Sequence, residues 1–167
     1  MLTVPDLERL RATFAHPGKL VWIAARPRKN GDLRILTEAW VDADSGLEHD
    51  HRNTGKRQIT LIQAEHLPAI AALCGRDRVD PQQLRRNLMV AGISVWALKD
   101  REFTVGPVTL QGTGPCHPCS RMETALGFGG YNAMRGHGGI TARVLTAGRI
   151  HVGDAVAMAA RHSAPGA

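Results

Sequence analysis

The sequence of 167 residues predicts a mainly β protein, a closed or partly closed β-barrel with helical insertions in a single domain. Many short apolar segments are separated by turn residues, whereas few segments have helical spacing. Glycine (18) and proline (9) are frequent, as expected for a chain that turns often. Strands do not alternate regularly with helices, which argues against a Rossmann-like parallel sheet.

The first third of the chain contains a predicted helix, a hairpin and a long loop. Residues 5–14 have amphipathic spacing, with Pro5 in the first turn, and predict a short helix. Residues 20–24 predict a buried strand. The basic turn at 26–32 contains Asn30 and Gly31, a hairpin signal, so residues 33–41 are expected to return as a second strand. The polar residues 42–56 predict a loop.

The remainder is expected to hold two helices and several short strands. Residues 58–62 predict a strand, and residues 64–73 a helix that Pro68 weakens. Asp80 followed by Pro81 is a strong helix start, and this second helix is expected to run to about Asn87. Further strands are predicted at 88–93, 95–98, 108–112, 140–146 and 154–158. We divide the chain into an N-terminal helix and first strand at 1–23, the main domain at 24–160, and a flexible tail at 161–167.

Composition narrows the function classes. The net charge of +6 suggests an anionic ligand, but aromatic residues make up only 4% and no helix-turn-helix or zinc-finger pattern occurs, so nucleic acid is not expected as a partner. The longest weakly polar run, residues 88–98, is shorter than the roughly 20 residues of a membrane helix. With three cysteines and no secretory signal, we expect a cytoplasmic protein with reduced thiols and no membrane partner.

The segment at 112–140 carries the clearest chemical signal, because Cys116 and Cys119 lie between a predicted strand and a short helix. Cys119 is placed to open that helix, and Arg121 follows two residues later. A helix N-terminus and a guanidinium both favour the thiolate, which attacks sulfur or binds metal. Three hypotheses follow: a structural zinc site, a redox pair, or one working thiol with Cys116 as an accessory. Zinc would need further ligands, drawn from His49, His51, His117 and His137.

Three blocks in order make this chain resemble the MOSC domain family, which is related to the C-terminal region of molybdenum-cofactor sulfurases. The first is HDHRNTGKRQITLIQ at 49–63, similar to the acidic-His loop and Arg-containing strand of the family. The second is LRRNLMVAGI at 84–93, similar to its Arg-x-Asn-Leu signature. The third, at 114–156, combines the family cysteine with RGHGGITARVL and a Gly-Asp ending. The resemblance covers nearly the whole chain, in the spacing of short stand-alone bacterial members.

The resemblance implies a MOSC-type barrel, similar to the barrel inserted in pyruvate kinase, and implies that the key cysteine is Cys119. In the family this thiol ligates molybdenum or carries sulfur as a persulfide. His51 and Asp50 are candidates for positioning substrate or transferring a proton. The pyranopterin of the molybdenum cofactor carries a phosphate that basic side chains or glycine-rich backbone can hold. The candidate cofactor-binding residues are Arg57, Arg86, Asn87, Arg121, Arg135, Gly138 and Gly139.

Two mechanisms are therefore expected within the family, and one alternative lies outside it. In the first, Cys119 ligates molybdenum and the protein reduces N-hydroxylated or other N-oxygenated compounds, with electrons from a separate protein. In the second, Cys119 receives sulfur from a cysteine desulfurase that depends on pyridoxal phosphate (PLP). No lysine of this chain stands out as a PLP site of its own. The alternative is a non-enzymatic thiol or zinc module that binds a partner protein.

Overall fold

The computed structural model describes residues 6–52 and 54–160. Within these ranges the chain forms eleven strands and five α-helices. The strands are β1 (Gly18–Ala25), β2 (Arg34–Leu36), β3 (Glu38–Asp42), β4 (Gly46–Leu47), β5 (Ile59–Gln63), β6 (Leu88–Ala91), β7 (Glu102–Val105), β8 (Val108–Pro115), β9 (Ile140–Thr146), β10 (Gly148–His151) and β11 (Ala155–Met158). The helices are α1 (Leu7–Arg11), α2 (His66–Leu73), α3 (Pro81–Leu84), α4 (Ser120–Leu126) and α5 (Gly130–Met134).

Seven strands close into a barrel, in the order β11-β7-β8-β9-β5-β6-β1. The barrel closes because β1 also pairs with β11, with Gly18 opposite Val156. Neighbouring strands are antiparallel except β5 and β6, and this parallel pair requires the crossover that α2 and α3 supply. Strand β2 extends from β1, while β3, β4 and β10 form a small separate sheet. The predicted fold class is confirmed.

Strand β5 is buried on both faces and separates two apolar clusters. Leu61 points into the barrel interior with residues such as Phe103 and Ile140. The next residue, Ile62, points to the opposite face, where α2 to α5 pack around Met122 and their neighbours. The helices therefore cover one side of the barrel and hold the cysteine-containing segment between β8 and α4 against it.

Several predicted elements are confirmed, and others are corrected. Strands β1 and β5 lie where expected, and β9 has the predicted bounds. Asp80 caps α3 in a capping box with Gln83, but the helix ends at Leu84 rather than near Asn87, because Arg85 adopts a left-handed backbone (φ 55°). The predicted strand at 33–41 is split at Thr37, where the chain passes from the barrel to the small sheet.

The predicted strand at 95–98 is wrong. Residues Trp96–Leu98 form a 3₁₀ turn, which a four-residue apolar run does not distinguish from a strand. The strands β7 and β10 and the helix α5 were not predicted, and the predicted loop at 42–56 contains the two-residue strand β4. The first helix is shorter than expected and is capped by Asp6. Pro5 and the predicted tail at 161–167 lie outside the described residues.

In the described part of the chain, no helix is long and apolar enough to span a membrane.

Candidate functional site

A cavity of about 400 Å³ lies where four chain segments meet beside α4. The segments are the loop after β1, the loop before β5, the corner between α3 and β6, and the link between β8 and α4. The lining residues are Arg26, Lys29, His51, Arg52, Arg57, Thr60, Arg85, Arg86, Cys116, His117, Pro118, Cys119, Arg121 and Met122. The cavity therefore brings together five residues predicted from the sequence: His51, Arg57, Arg86, Cys119 and Arg121.

Cys119 is the exposed thiol of this cavity. It occupies the N-cap of α4, as predicted, with an extended backbone (φ −120°, ψ 174°). Its carbonyl accepts the hydrogen bond that begins the helix, from the Met122 N–H at 2.9 Å. Cys119 is exposed and its side chain makes no capping hydrogen bond, so the thiol is available to a ligand.

Cys116 lies in the same wall but is buried, with 4% of its surface exposed. Its backbone is fixed at both ends, because its N–H donates to the Gly139 carbonyl at 2.9 Å and its carbonyl accepts from Arg86 Nη2 at 3.3 Å. Arg86 also donates to the carbonyls of Gly138 (2.9 Å) and Leu84 (2.8 Å). Arg86 thus holds the cysteine segment in position through backbone oxygens.

The charge of Arg86 is buried without a carboxylate partner within the described ranges. Burial lowers the pKa of the Arg86 guanidinium, although the nearby Cys116 acts to raise it. A buried cation that has only carbonyl partners favours an anion in the adjoining cavity.

Asp50 and Asn87 lie behind the cavity wall, in a buried polar network. Asp50 accepts from Arg26 Nε at 3.0 Å and Nη2 at 3.2 Å, and also from Asn87 Nδ2 at 2.8 Å. The Asn87 Oδ1 accepts from Thr60 N–H at 3.0 Å and from Arg26 Nη2 at 2.9 Å. Burial acts to raise the pKa of Asp50, but its hydrogen bonds and the charge of Arg26 outweigh this and hold the pKa below its ordinary value.

This geometry gives no support to direct ligand contact by Asp50 or Asn87, since neither lines the cavity and Asn87 is completely buried. Their predicted roles in catalysis and cofactor binding stay predictions. What the structure shows is that both residues fix Arg26 at the end of β1, and that Asn87 joins β1, β5 and β6.

His51 is positioned by the backbone of Arg26. Its Nδ1 lies 2.7 Å from the Arg26 carbonyl oxygen. Because a carbonyl oxygen only accepts hydrogen bonds, this contact requires the hydrogen on Nδ1 and leaves the lone pair of the neutral ring on Nε2. His51 lines the cavity, so its ring can act there as a base or hydrogen-bond acceptor through Nε2.

Arg85 and Arg121 hold the loop between β1 and β2 over the cavity. Arg85 Nη1 donates to the Gly31 carbonyl at 2.8 Å, and Arg121 Nη1 donates to the Lys29 carbonyl at 3.1 Å. Arg121 also donates to the Asn30 side chain. The Nη2 atom of Arg85 is buried and has no hydrogen-bond partner. Burial, together with the charges of Arg121 and Arg26, lowers the pKa of Arg85.

Arg135, Gly138 and Gly139 do not line this cavity. A Cβ atom on Gly138 would lie 2.2 Å from the Cys116 carbonyl oxygen, and one on Gly139 would lie 1.8 Å from the Leu61 carbonyl oxygen. Close backbone packing therefore accounts for glycine at these two positions. Their predicted contact with a cofactor, like that of Arg135, gains no support from the geometry and stays a prediction.

Sequence reasoning missed part of the site. Arg26, Lys29, Arg52 and Arg85 line the cavity but were not among the predicted site residues. The features of the sequence that point to these residues are the basic turn at 26–32 and the pair of adjacent arginines at 85–86. The zinc hypothesis finds no support, since no group of three or more His, Cys, Asp or Glu side chains in residues 6–52 and 54–160 is arranged to hold a metal ion.

The fold and site define a closed β-barrel that presents a thiol in a cationic cavity. The sequence model of the MOSC domain matches residues 48–157. This chain belongs to the MOSC domain family.

Solved structures share this fold. The YuaD protein of Bacillus subtilis has 20% identity and a TM-score of 0.73, covering 84% of this chain and 94% of that one. YiiM from Geobacillus stearothermophilus has 18% identity and a TM-score of 0.69, covering 88% and 77%. YiiM from Escherichia coli has 18% identity and a TM-score of 0.65, covering 87% and 72%. No curated protein sequence matches significantly.

Proposed function

We propose that this protein binds the molybdenum cofactor in the cavity beside α4, with Cys119 as a metal ligand, and reduces N-hydroxylated or other N-oxygenated compounds. The observation that carries the proposal is the placement of an exposed thiol in a cavity lined by cations. Membership of the MOSC family supports the choice of cofactor.

The donor set fits this group. A cysteine sulfur is a soft ligand, suited to a metal that is already held by sulfur. The cofactor also carries a phosphate, and guanidinium groups bind phosphate through paired N–H donors. The buried, unpartnered Nη2 of Arg85 indicates that an acceptor belongs in this part of the cavity. The volume of about 400 Å³ is within the range of small-molecule sites, about 300–1,000 Å³.

Cys119 would supply the sulfur ligand, and Arg57 with Arg86 would offset the negative charge of the cofactor. When bound, the cofactor supplies a molybdenum centre able to deliver two electrons to an N–O bond. Reductive cleavage of that bond also consumes protons, and His51 would relay one through Nε2, which would first take up a proton from solvent and then pass it to the leaving oxygen. We propose that the electrons come from a separate protein.

The test is metal and pterin analysis of protein produced in a host that makes the molybdenum cofactor. Wild type is expected to contain molybdenum and pterin in equal amounts, and Cys119→Ser is expected to lose the metal. Cys74→Ser is the matched control, because Cys74 caps α2 and does not line the cavity. Protein without molybdenum, or equal molybdenum in wild type and Cys119→Ser, would contradict the proposal.

A second candidate function is sulfur transfer, which the presence of both Cys116 and Cys119 in the cavity wall favours. The Cys119 thiolate would attack the outer sulfur of a desulfurase persulfide, forming a Cys119 persulfide and releasing the donor cysteine as a thiolate. Incubation with a cysteine desulfurase and cysteine, followed by cyanide, measures the sulfur loaded. If the protein contains no molybdenum but takes up sulfur, and if this uptake requires Cys119, sulfur transfer would be favoured over the first function.

A further inference from the structure

Two histidines, His66 and His137, are in direct contact where α2 meets the loop between α5 and β9. Their ring centroids are 4.8 Å apart, and the rings are nearly perpendicular, at 85°. The Nδ1 atom of each ring is buried and has no hydrogen-bond partner among the described residues. A buried polar atom without a partner needs an explanation, and two such atoms in one contact point to a common cause.

The surroundings of the two rings favour their neutral form. His66 is the first residue of α2, where the positive end of the helix dipole opposes a positive charge. Burial, together with His137, lowers the pKa of His66 below its ordinary value of 6.5. The charged and titratable groups that the described segments bring near the pair are Glu65, Arg86, Cys116 and Arg135, whereas Cys74 and Tyr131 lie at the far ends of α2 and α5.

Glu65 is the acidic member of this group, and its carboxylate is already engaged. Its two oxygens accept hydrogen bonds from Gln63 and from the turn after β6. Its charge acts to raise the pKa of His66, but burial and His137 outweigh this effect. On the other side, Arg86 donates to the backbone carbonyl of the residue after His137 and adds positive charge there. A proton on either ring would therefore meet cations and one carboxylate that is already bound.

The loop that carries His137 also fixes the cysteine segment. The carbonyl of Gly139 accepts from the Cys116 N–H at 2.9 Å, and the carbonyl of Gly138 accepts from Arg86 at 2.9 Å. Gly138 packs so closely against this segment that a Cβ atom there would lie 2.2 Å from the Cys116 carbonyl oxygen. Movement of this loop away from α2 would therefore open the wall in which Cys116 is buried.

We propose that His66 and His137 form an acid-sensitive clasp that keeps the thiol of Cys116 covered. When both rings are neutral, they pack edge to face and hold the loop against α2. A proton on either ring places a partly buried positive charge beside the other ring and the helix N-terminus, so the contact opens. Because the closed form binds this proton less readily than the open form, closure is favoured above roughly pH 6.5 and is lost as the pH falls.

The clasp does not depend on the molybdenum cofactor, so it can be tested whether or not the proposed function holds. The test measures how fast Cys116 reacts with N-ethylmaleimide from about pH 7.5 to about pH 5.5. Cys119→Ser is introduced throughout, so that Cys116 is the only cysteine of its tryptic peptide. Glutathione in the same solution corrects for the effect of pH on the reaction itself. Relative to glutathione, the rate is expected to rise by up to about tenfold per pH unit below roughly pH 6.5, as for the uptake of one proton.

His66→Gln and His137→Gln each replace a titrating ring by a neutral amide and are expected to abolish this rise. His151→Gln is the matched control and should retain it, because His151 is an exposed histidine of β10 that pairs with Glu38. A flat profile with both histidines present, or the same rise in His66→Gln and His137→Gln, would overturn the clasp. So would a rise that is lost equally in His151→Gln. Either variant of the pair suffices if the other fails to fold.

Far-ultraviolet circular dichroism over the same pH range separates opening of the clasp from unfolding of the domain. The spectrum is expected to stay native while the labelling of Cys116 rises. Loss of the native spectrum in step with labelling would mean that the whole domain unfolds in acid, and would overturn a local clasp.

Discussion

Arg26 and Asp50 form a bidentate ion pair behind the cavity, with Arg26 Nε 3.0 Å from one carboxylate oxygen and Nη2 3.2 Å from the other. The pair joins the end of β1 to the loop that follows β4. Arg26 is 7% exposed and the Asp50 side chain is inaccessible to solvent. Since the Arg26 carbonyl in turn orients His51, the pair fixes the side of the cavity that carries the imidazole.

Removing the charge of Asp50 is expected to destabilise the protein by about 3 kcal/mol or more. The Asp50→Asn change leaves the Arg26 guanidinium buried without a counter-charge, and loss of one partner of a buried pair is costly. Urea unfolding near neutral pH measures the free energy. Glu38→Gln is the control, because Glu38 pairs with Arg149 at an exposed site and its loss should cost less than about 1 kcal/mol. Equal losses in the two variants would contradict the assignment of a structural role to Asp50.

The stability contributed by Asp50 should also depend on pH. The pKa of Asp50 in the folded protein is below its ordinary value of 3.8, because Arg26 outweighs the effect of burial. Its stabilisation is therefore fully present above roughly pH 5, where the unfolded-state carboxyl is ionised, and is lost as the pH falls through the lower folded-state pKa. The difference in unfolding free energy between wild type and Asp50→Asn should be constant above roughly pH 5 and should shrink toward about pH 3. A difference that grows on acidification would have the wrong sign for this mechanism.

The segments predicted best from the sequence are those whose structure depends on local signals. The apolar run of β5 and the Asp80–Pro81 helix start are of this kind. The end of α3 was misplaced because Arg85 adopts a left-handed backbone, for which glycine or asparagine is the usual signal. The role of Asn87 could not be predicted from local signals either. Its position in the sequence suggested a helix end, whereas contacts with distant residues make it the buried link between β1, β5 and β6.

The glycines after α5 allow a test of backbone packing with an internal control. Gly139 and Gly136 both have a left-handed φ, 82° and 79° respectively. A Cβ atom at Gly139 would lie 1.8 Å from the Leu61 carbonyl, whereas one at Gly136 meets nothing within 4 Å. Gly136→Ala should therefore cost about 1 kcal/mol from backbone strain alone. Gly139→Ala should cost about 3 kcal/mol or more, since it adds a steric clash with β5.

Thermal or urea unfolding of the two variants checks this comparison. Similar losses would mean that the chain moves away from β5 at little cost, and the glycine at 139 would then need another explanation. A large loss of stability in Gly139→Ala would show that this residue is required for folding, whatever its relation to a cofactor.

The thiol of the candidate site could be predicted from the sequence, whereas several of the cationic residues that line the cavity could not. Cys119 was found because its spacing from Arg121 and the glycines is local in the sequence. Arg26 and Arg85 were missed because they reach the cavity only through strand pairing and the corner after α3, and the clustered arginines at 26–32 and 85–86 do not by themselves show that approach. The arginines also differ in what they contact: Arg86 binds backbone oxygens on all sides, whereas Arg85 keeps one donor unpaired.

That difference leads to opposite expectations for two adjacent residues. Arg85 has φ 55°, so replacement by glycine relieves a backbone strain of about 1 kcal/mol and removes a buried donor without a partner. Against this, Arg85→Gly loses the hydrogen bond to the Gly31 carbonyl, worth about 1 kcal/mol, and increases the freedom of the unfolded chain by a similar amount. The terms nearly cancel, so stability should stay within about 1 kcal/mol of wild type.

Arg86→Ala removes three hydrogen bonds to buried carbonyls and should cost about 3 kcal/mol. Urea unfolding of both variants, with phosphate titration of Arg85→Gly, gives the comparison. A stable Arg85→Gly protein with weakened phosphate binding would mean that arginine stands at this strained corner for its ligand. An Arg85→Gly protein as unstable as Arg86→Ala would instead mean that the contact with Gly31 holds the loop in place, and the arginine would then be explained by folding alone.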